Sequence, residues 1–258
     1  MRQERRPNRR GTAAWLAAAL ALAAAAPAFA ADPAALMRAA FDNWRAKSSR
    51  TTVTMTIHRP SWERSLTMTG WTQGDDQALV RFTAPAKDAG NATLKLGDET
   101  WIYNPKLRQT IKLPASMLSQ SWMGSDFSYD DLAKSDDLLT DYTYKITATA
   151  LAGGHTTYDI EATPKPGAPI VWGKQVVRVR DDGIILKEVF FDQDMKPVRT
   201  MTTEKVGAIG GRDYPLVLVM RPEGEAGRWT RIETTAGEFN IRLPDHIFTR
   251  SNLENPRG

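Results

Sequence analysis

Cysteine is absent from the 258 residues, and histidine is scarce. Without cysteine there is no disulfide, no thiolate nucleophile and no cysteine metal ligand. The three histidines, His58, His155 and His246, lie far apart, and no two have the spacing of metal ligands. The phosphate-binding P-loop, the dinucleotide-binding glycine motif and the nucleophile elbow of hydrolases are missing too. We therefore predict no catalytic residue, no bound metal and no cofactor.

The chain also lacks an excess of positive or negative charge once the first thirty residues are left out. The whole chain has 34 basic and 30 acidic residues; taking away the five arginines and one glutamate of residues 1–30 leaves 29 of each. A neutral chain offers no basic patch for nucleic acid and no strong attraction to anionic lipid head groups. We expect no nucleic-acid partner.

Residues 1–30 have the pattern of a secretory signal peptide. Five arginines precede an alanine- and leucine-rich run from Thr12 to Ala26, which is shorter than the ~20 residues that cross a membrane. Ala28-Phe29-Ala30 is a small-x-small cleavage site, so we predict a cut after Ala30. No cysteine follows the run, so the mature chain is not expected to be a lipoprotein. Export, alanine-rich composition and the lack of cysteine together indicate a bacterial periplasm.

Residues 31–258 are predicted to form one domain that is mainly β. A helix is expected from Asp32, which can cap it, to Lys47. From Ser49 onward, short segments alternate between apolar and polar residues, with turn residues between them. About eleven antiparallel strands are expected, of which one later strand contains Ile185, Val189 and Phe191, and Phe239 to Leu243 form the last. Because sheets twist, so many strands should curl into a barrel, closed or partly open, that can hold a ligand cavity.

Residues 117–132, which we call the cover segment, interrupt this alternation. Two methionines, a tryptophan, a phenylalanine and a tyrosine fall within sixteen residues, with Gly124 near the middle. Such a segment is either a movable lid over the mouth of a barrel or a fixed plug in it. If it is a lid, Gly124 is its hinge, and Gly124→Pro should impair cargo exchange more than folding.

Apolar residues of one strand face and of the cover segment are the candidate ligand-binding residues. Methionine in particular suits surfaces that accept variable apolar ligands. The alternative interpretation is that these residues fill a packed core. The predicted lipid-binding set is Val53, Met55, Ile57, Leu66, Met68, Val80, Phe82, Met117, Leu118, Trp122, Met123 and Phe127.

Acidic residues in and after the cover segment are candidates for metal binding or catalysis. Asp130-Asp131 and Asp136-Asp137 lack the alternating oxygen ligands of a calcium loop, so a solvated helix face is predicted. Ser125 and Asp126 stand side by side, but no partner histidine is marked, and caps or joints of the segment fit them better. An unrecognised hydrolase that uses Ser121, Ser125 or Asp126 remains an alternative.

The same segment carries a family resemblance. Its sequence resembles the segment that marks bacterial outer-membrane lipoprotein-sorting proteins of the LolA-like group, and weaker similarities run from about Ala31 to Leu253. The quoted similarities are Ser121-Trp122-Met123-Gly124-Ser125-Asp126-Phe127-Ser128-Tyr129-Asp130-Asp131-Leu132, Trp101-Ile102-Tyr103-Asn104-Pro105, Ile111-Lys112-Leu113-Pro114, Val189-Phe190-Phe191-Asp192, Lys196-Pro197-Val198-Arg199-Thr200 and Asp245-His246-Ile247-Phe248-Thr249.

The resemblance implies an unclosed antiparallel β-barrel with a short helical lid. It also implies a non-enzymatic periplasmic carrier that shelters acyl chains of lipoproteins or lipids, and we expect this carrier to be a monomer. An inner-membrane transporter and an outer-membrane acceptor are the further candidate partners. Two alternatives stay open: a periplasmic partner or scaffold of an envelope transport complex with a filled barrel, and the hydrolase named above.

Overall fold

A computed structural model describes Met1, residues 31–133 and residues 136–256 of the chain. Residues Ala31–Gly258 form one compact unit. The predicted signal peptide, residues 1–30, lies outside the described residues except for Met1. The signal peptide and its cleavage after Ala30 therefore stay predictions. No helix among the described residues is long and apolar enough to span a bilayer.

One antiparallel sheet makes up most of the described chain. Thirteen strands follow one another as β1 (Ser48–Arg59), β2 (Trp62–Gln73), β3 (Gln77–Ala84), β4 (Ala92–Leu96), β5 (Glu99–Asn104), β6 (Gln109–Lys112), β7 (Tyr142–Ala152), β8 (His155–Pro164), β9 (Lys174–Arg180), β10 (Ile185–Phe191), β11 (Pro197–Ile209), β12 (Arg212–Pro222) and β13 (Trp229–Phe239).

The sheet is open, which confirms the predicted fold class. The strand order runs β6-β5-β4-β3-β2-β1-β13-β12-β11-β10-β9-β8-β7, so β6 and β7 are its two edges and the first and last strands pair in its middle. It has thirteen strands where about eleven were expected. Phe239 ends β13, and the expected strand from Phe239 to Leu243 is absent from the described residues.

The N-terminal helix α1 (Pro33–Arg45) lies against the concave face of β8 and β9. Asp32 caps it by accepting a hydrogen bond from the backbone N–H of Ala34 at 3.0 Å, and Pro33 begins it, as predicted. Met37 and Ala40 pack on the apolar face of those strands. The helix backbone comes so close to Gly183 that a Cβ there would lie 2.6 Å from the Ala39 carbonyl oxygen.

Three short helices complete the fold. α2 (Tyr129–Ala133) and α3 (Asp137–Thr140) follow the 3₁₀ turns Ala115–Met117 and Trp122–Gly124, and α4 (Arg250–Glu254) follows the 3₁₀ turn Asp245–Phe248. The C-terminal turn and α4 bury Phe248 and Leu253 against Leu79 and Leu94, on the face of the sheet opposite the one that α1 covers. The concave face is therefore left to α1 and the cover segment.

Candidate functional site

A cavity of about 360 Å³ lies between the concave face of the sheet, α1 and the cover segment. Its size falls within the ~300–1,000 Å³ of known ligand pockets. The alternation of each strand decides which residues reach it: Ser49, Thr51 and Val53 of β1 line the cavity, and the residues between them face outward.

Most of the cavity wall is apolar. α1 contributes one side, β1 to β3 and β11 to β13 the floor, and the cover segment the roof. The apolar lining residues include Met37, Ala40, Phe41, Trp44, Val53, Met68, Trp71, Ala78, Val80, Trp122, Phe127, Leu132, Leu138, Ile170, Trp172, Ile185, Phe190, Met201, Pro215, Leu218, Met220 and Ile232.

One end of the concave face is filled rather than open. There Trp122 of the cover segment, only 5% exposed, packs on Phe82 with ring centroids 5.3 Å apart. Its indole N–H donates to the Thr93 hydroxyl at 3.3 Å. Beneath it Met55, Ile57 and Leu66 are fully buried. The cover segment thus closes the sheet at this end and bounds the cavity on its inner side.

The predicted lipid-binding residues divide into three groups. Five line the cavity: Val53, Met68, Val80, Trp122 and Phe127. The second group is the packed cluster under Trp122, which consists of Met55, Ile57, Leu66 and Phe82. Met123 is partly buried and packs against this cluster. Met117 and Leu118 are half-buried, and neither is among the described residues that line the cavity.

Asp126 ties the cover segment to the sheet. Its carboxylate is 1% exposed and accepts hydrogen bonds from Arg59 at 3.0 Å, Arg228 at 2.7 Å and the Thr230 hydroxyl at 2.7 Å. Its backbone N–H donates back to the Thr230 hydroxyl at 3.0 Å. Asp126 was predicted to cap or join the segment, and it joins the segment to the sheet, because its partners lie on strands β1 and β13 and in the turn before β13.

A second tie joins the cover segment to β11. Arg199 makes a two-pronged ion pair with Asp131 and donates to the Asp126 carbonyl oxygen at 3.1 Å. Its guanidinium lies beside both Trp172 and Phe190, 4.6 and 4.3 Å from their ring centroids, and the two rings also contact each other with centroids 5.1 Å apart. Such a planar cation suits both the carboxylate and the aromatic faces.

The expectation that the acidic pairs form a solvated helix face is wrong. Asp130 is buried, Asp131 is paired with Arg199, and Asp136 pairs at 2.9 Å with the almost fully buried Lys95 of β4. Ser128 and Asp131 instead form a reciprocal cap at the start of α2, since each backbone N–H donates to the other side chain at 2.7 and 3.3 Å.

Gly124, the predicted hinge, lies at the exposed turn of the cover segment. Its φ of +78° belongs to the left-handed region, and Met123 before it has a φ of +54°. Its carbonyl oxygen accepts from Arg59 at 2.9 Å, and a Cβ at this position would meet no atom within 4 Å. This left-handed backbone conformation explains why glycine occupies position 124. Whether the segment moves there stays a prediction.

The wall formed by β7, β9 and β10 is polar, and the sequence reasoning missed it. Tyr142, Gln175 and Glu188 line the cavity here. Glu188 is 6% exposed, and burial, together with the charge of Asp131, raises the pKa of its carboxyl to about 7, although Arg199 acts in the opposite direction. Burial likewise raises the pKa of the Tyr142 hydroxyl. Neutral pH is therefore where Glu188 changes its charge.

A shift in the alternation of β10 hid Glu188. The pairing of β10 with β9 slips between Ile185 and Lys187, so Glu188 and Phe190 face inward while Val189 and Phe191 are only half-buried. Ile185, Val189 and Phe191 do belong to one strand, as predicted, but the shift places Ile185 at the cavity and Val189 on the other face. With hydrophobic residues on both faces, the sequence does not reveal which set points inward.

The histidines do not converge on the cavity. His58 stacks on Trp229 at the sheet surface. At a hairpin tip, His155 Nδ1 is hydrogen-bonded to the Asp181 carboxylate at 2.7 Å. Ligand atoms of His155, Asp181 and Asp182 lie within 4.8 Å of one another. However, Asp181 already accepts from the Thr156 N–H, and Asp182 already pairs with Arg180, so these oxygens are engaged in the turn itself.

Ser121 and Ser125, the serines weighed as nucleophiles, are engaged locally within the cover segment. The Ser121 hydroxyl donates to the Ser125 carbonyl oxygen, and the Ser125 hydroxyl accepts from the Phe127 N–H at 3.1 Å. These bonds shape the turn around Gly124.

A protein-family model with the description "-like: Uncharacterized protein" matches residues 74–255. No curated protein matches the sequence. Among solved structures, a DUF1329 family protein from Desulfovibrio piger ATCC 29098 has a TM-score of 0.76 at 24% identity, over 86% of this chain and 100% of that chain.

Two further solved structures carry descriptions related to lipoprotein sorting. An outer membrane lipoprotein-sorting protein domain from Vibrio parahaemolyticus has a TM-score of 0.74 at 19% identity, over 86% of this chain and 98% of its own. A LolA superfamily protein from Nitrosomonas europaea has a TM-score of 0.71 at 21% identity, over 86% and 99% of the two chains. At these identities the likeness establishes a shared fold.

Proposed function

Because this chain matches a family of uncharacterized proteins over residues 74–255 and shares its fold with solved proteins described as lipoprotein-sorting or LolA superfamily proteins, we propose that it is a LolA-like periplasmic carrier that shelters acyl chains of lipoproteins or lipids on their way to the outer membrane. The observation that carries the proposal is the largely apolar cavity between the open sheet, α1 and the cover segment. An acyl chain that crosses water must be covered, and each buried CH₂ gains roughly 0.8 kcal/mol. A carrier needs such a cavity and a route into it, and no catalytic group.

The carrier is proposed to act with the lining residues named above, and with Gly124 as the point where the cover segment opens. Its partners would be the acylated cargo, an inner-membrane transporter and an outer-membrane acceptor. Export by the predicted signal peptide would place the carrier in the periplasm. We propose that it acts there as a monomer.

Binding and transfer can both be measured on the mature protein, residues 31–258. Lipid extracted from protein purified from the periplasm and identified by mass spectrometry should contain acyl chains. The purified protein should also take up an acylated peptide from vesicles and keep it soluble after ultracentrifugation. Finding neither a bound lipid nor any uptake would sink the proposal.

A second candidate is a partner or scaffold of an envelope complex. The buried ties of Asp126 and Asp131 favour it, because they hold the cover segment to the sheet as a plug would be held. Under this alternative, crosslinking in cells should capture one stable membrane partner, and the acylated peptide should stay with the vesicles.

A further inference from the structure

The polar wall of the cavity presents hydrogen-bond acceptors that have no donor. Glu188 faces the cavity, and among the described residues no hydrogen bond reaches its carboxyl group. On the neighbouring strand, Gln175 donates through its amide nitrogen to the Tyr142 hydroxyl at 3.2 Å, which leaves its amide oxygen buried and unpaired. A buried acceptor without a donor is costly, so the unpaired Gln175 amide oxygen, next to a carboxyl group that faces the cavity, points to a ligand.

These two acceptors belong to one patch. Gln175 stands opposite Phe190 in the ladder between β9 and β10, and Glu188 stands opposite Val177, two residues further along the same face. The two side chains therefore project side by side from adjacent strands into the cavity.

Carboxylates outnumber cations among the described residues that line the cavity, where Arg45 is the cation. Asp130, Asp131 and Asp137 line the cavity from the cover segment and α3. Arg199 on β11 is the cation that acts on Glu188, but Asp131 already holds it in a two-pronged ion pair. Tyr142 and Tyr144 face the patch from β7 with neutral hydroxyls, since burial raises the pKa of both. A negative head group would meet repulsion here, whereas a positive donor would be attracted.

We propose that the cavity binds amphiphiles whose head group is a protonated amine, with the ammonium group between the Glu188 carboxylate and the Gln175 amide oxygen and the alkyl chain along the apolar floor. An ammonium group has three donors and no acceptor, which matches the Glu188 carboxylate and the unpaired Gln175 amide oxygen; the Tyr144 hydroxyl and the Arg199 Nε, also buried without a partner, are the donors nearby. This inference rests on the proposed function, in which the cavity takes an acyl or alkyl chain. The amine could belong to an aminophospholipid head group or to the free amino terminus of an acylated peptide.

Displacement of a fluorescent apolar probe from the mature protein tests the head-group preference. Dodecylamine, dodecanol and dodecanoate share one chain length, and each is used below its critical micelle concentration at pH 8. Dodecylamine should bind at least tenfold more tightly than dodecanoate and several-fold more tightly than dodecanol. Lowering the pH to 6 should shrink that preference, because Glu188 then takes up a proton.

Glu188→Gln isolates the contribution of the carboxylate, since the amide has the same shape without the charge. The variant should bind dodecylamine and dodecanol within about twofold of each other, and its affinity for dodecanol should equal that of the wild type. Glu161→Gln is the matched control: Glu161 lies on β8 beside half-buried Lys174, outside the cavity wall, and its replacement should leave the amine preference intact.

The outcomes separate the two proposals. If none of the three compounds displaces the probe, the carrier proposal fails and this inference fails with it. If all three displace it equally, or if the amine preference survives in Glu188→Gln, the carrier proposal stands and this inference is overturned.

Two matched pairs then identify the source of the amine. Lysophosphatidylethanolamine is compared with lysophosphatidylglycerol, and an S-acylated peptide with a free amino terminus is compared with its acetylated form. A Glu188-dependent difference in either pair supports the proposal and names the source; equal binding within both pairs overturns it.

Discussion

The Asp126 carboxylate accepts hydrogen bonds from three different side chains, Arg59, Arg228 and Thr230. Asp126→Asn keeps its shape but removes the charge that two arginines and Thr230 surround. Breaking a buried ion pair from one side is strongly destabilising, because the partner charges lose their compensation. We expect the free energy of unfolding to fall by about 2–4 kcal/mol, measured by urea denaturation of the mature protein.

A suitable control is Glu225→Gln, which removes the other carboxylate that Arg228 contacts. Glu225 is half-exposed, and exposed ion pairs contribute only about 0–1 kcal/mol. A loss below 1 kcal/mol in Asp126→Asn, no larger than in the control, would show that Asp126 does not anchor the segment.

Because Glu188 is buried, we expect the stability of the folded chain to fall as the pH rises through neutrality. Its pKa is raised from 4.5 to about 7 in the folded chain, so between these values the folded state binds more protons than the unfolded state. Stability contributed by this group is therefore fully present below about pH 4.5 and is lost as the pH rises through about 7. The loss is on the order of 2–3 kcal/mol at pH 8.

The variant Glu188→Gln should remove that loss. Thermal unfolding should give a higher melting temperature than the wild type at pH 8, and the difference should shrink toward pH 5. Glu161→Gln should follow the pH profile of the wild type. Parallel profiles for the wild type and Glu188→Gln would contradict a buried carboxyl that titrates near neutrality.

The cover segment, at the scale of one element, is held by bonds that can be removed singly. Thr230 is fully buried and both donates to the Asp126 carboxylate and accepts from its N–H. Thr230→Val keeps the shape and loses both bonds, at a cost of about 1–2 kcal/mol. Hydrogen exchange should accelerate in residues 122–128, while the strands keep their protection.

Thr235→Val makes the equivalent change five residues further along β13. Its hydroxyl is exposed and donates to the Thr52 carbonyl oxygen, away from the cover segment. Exchange in residues 122–128 should match the wild type in this variant. Equal exchange in the two variants would mean that the segment is held by its packing on Phe82 and not by Thr230.

The sequence was sufficient for this element's location and composition but not for its attachment. An apolar, glycine-bearing interruption of a strand pattern is visible in residues 117–132, and Trp122 and Phe127 indeed line the cavity. Asp126 and Asp131 could not be assigned, because their partners, Arg59, Arg199 and Thr230, come from strands more than sixty residues away along the chain. Ion pairs between such distant segments leave no local pattern.

For the whole molecule, the alternation of short strands was enough to predict a mainly β fold, closed or partly open, and the family resemblance implied the open form. The content of the interior was not predictable. Strand phase placed Val53, Met68 and Val80 on the face that lines the cavity, but Met55, Ile57 and Leu66 share that face and lie beneath Trp122. Which part of one face is covered depends on where a distant segment packs, and that is a property of the complete fold.

A prediction at this scale concerns how long a chain the cavity accepts. Val53 is half-buried, lines the cavity in the middle of β1 and borders the packed cluster under Trp122. Each added CH₂ should strengthen binding by up to about 0.8 kcal/mol until the cavity is full. Val53→Trp should fill part of the cavity and stop this increase at a shorter chain.

Displacement by primary alcohols of eight to sixteen carbons measures the effect. Val53→Trp should bind the sixteen-carbon alcohol at least tenfold more weakly than the wild type, and the eight-carbon alcohol within about twofold. Thr54→Trp adds the same ring to the opposite face of β1, so its affinities should follow the wild type at every length. If both variants weaken all alcohols alike, the tryptophan acts through stability, and the alkyl chain does not lie along the floor of this cavity.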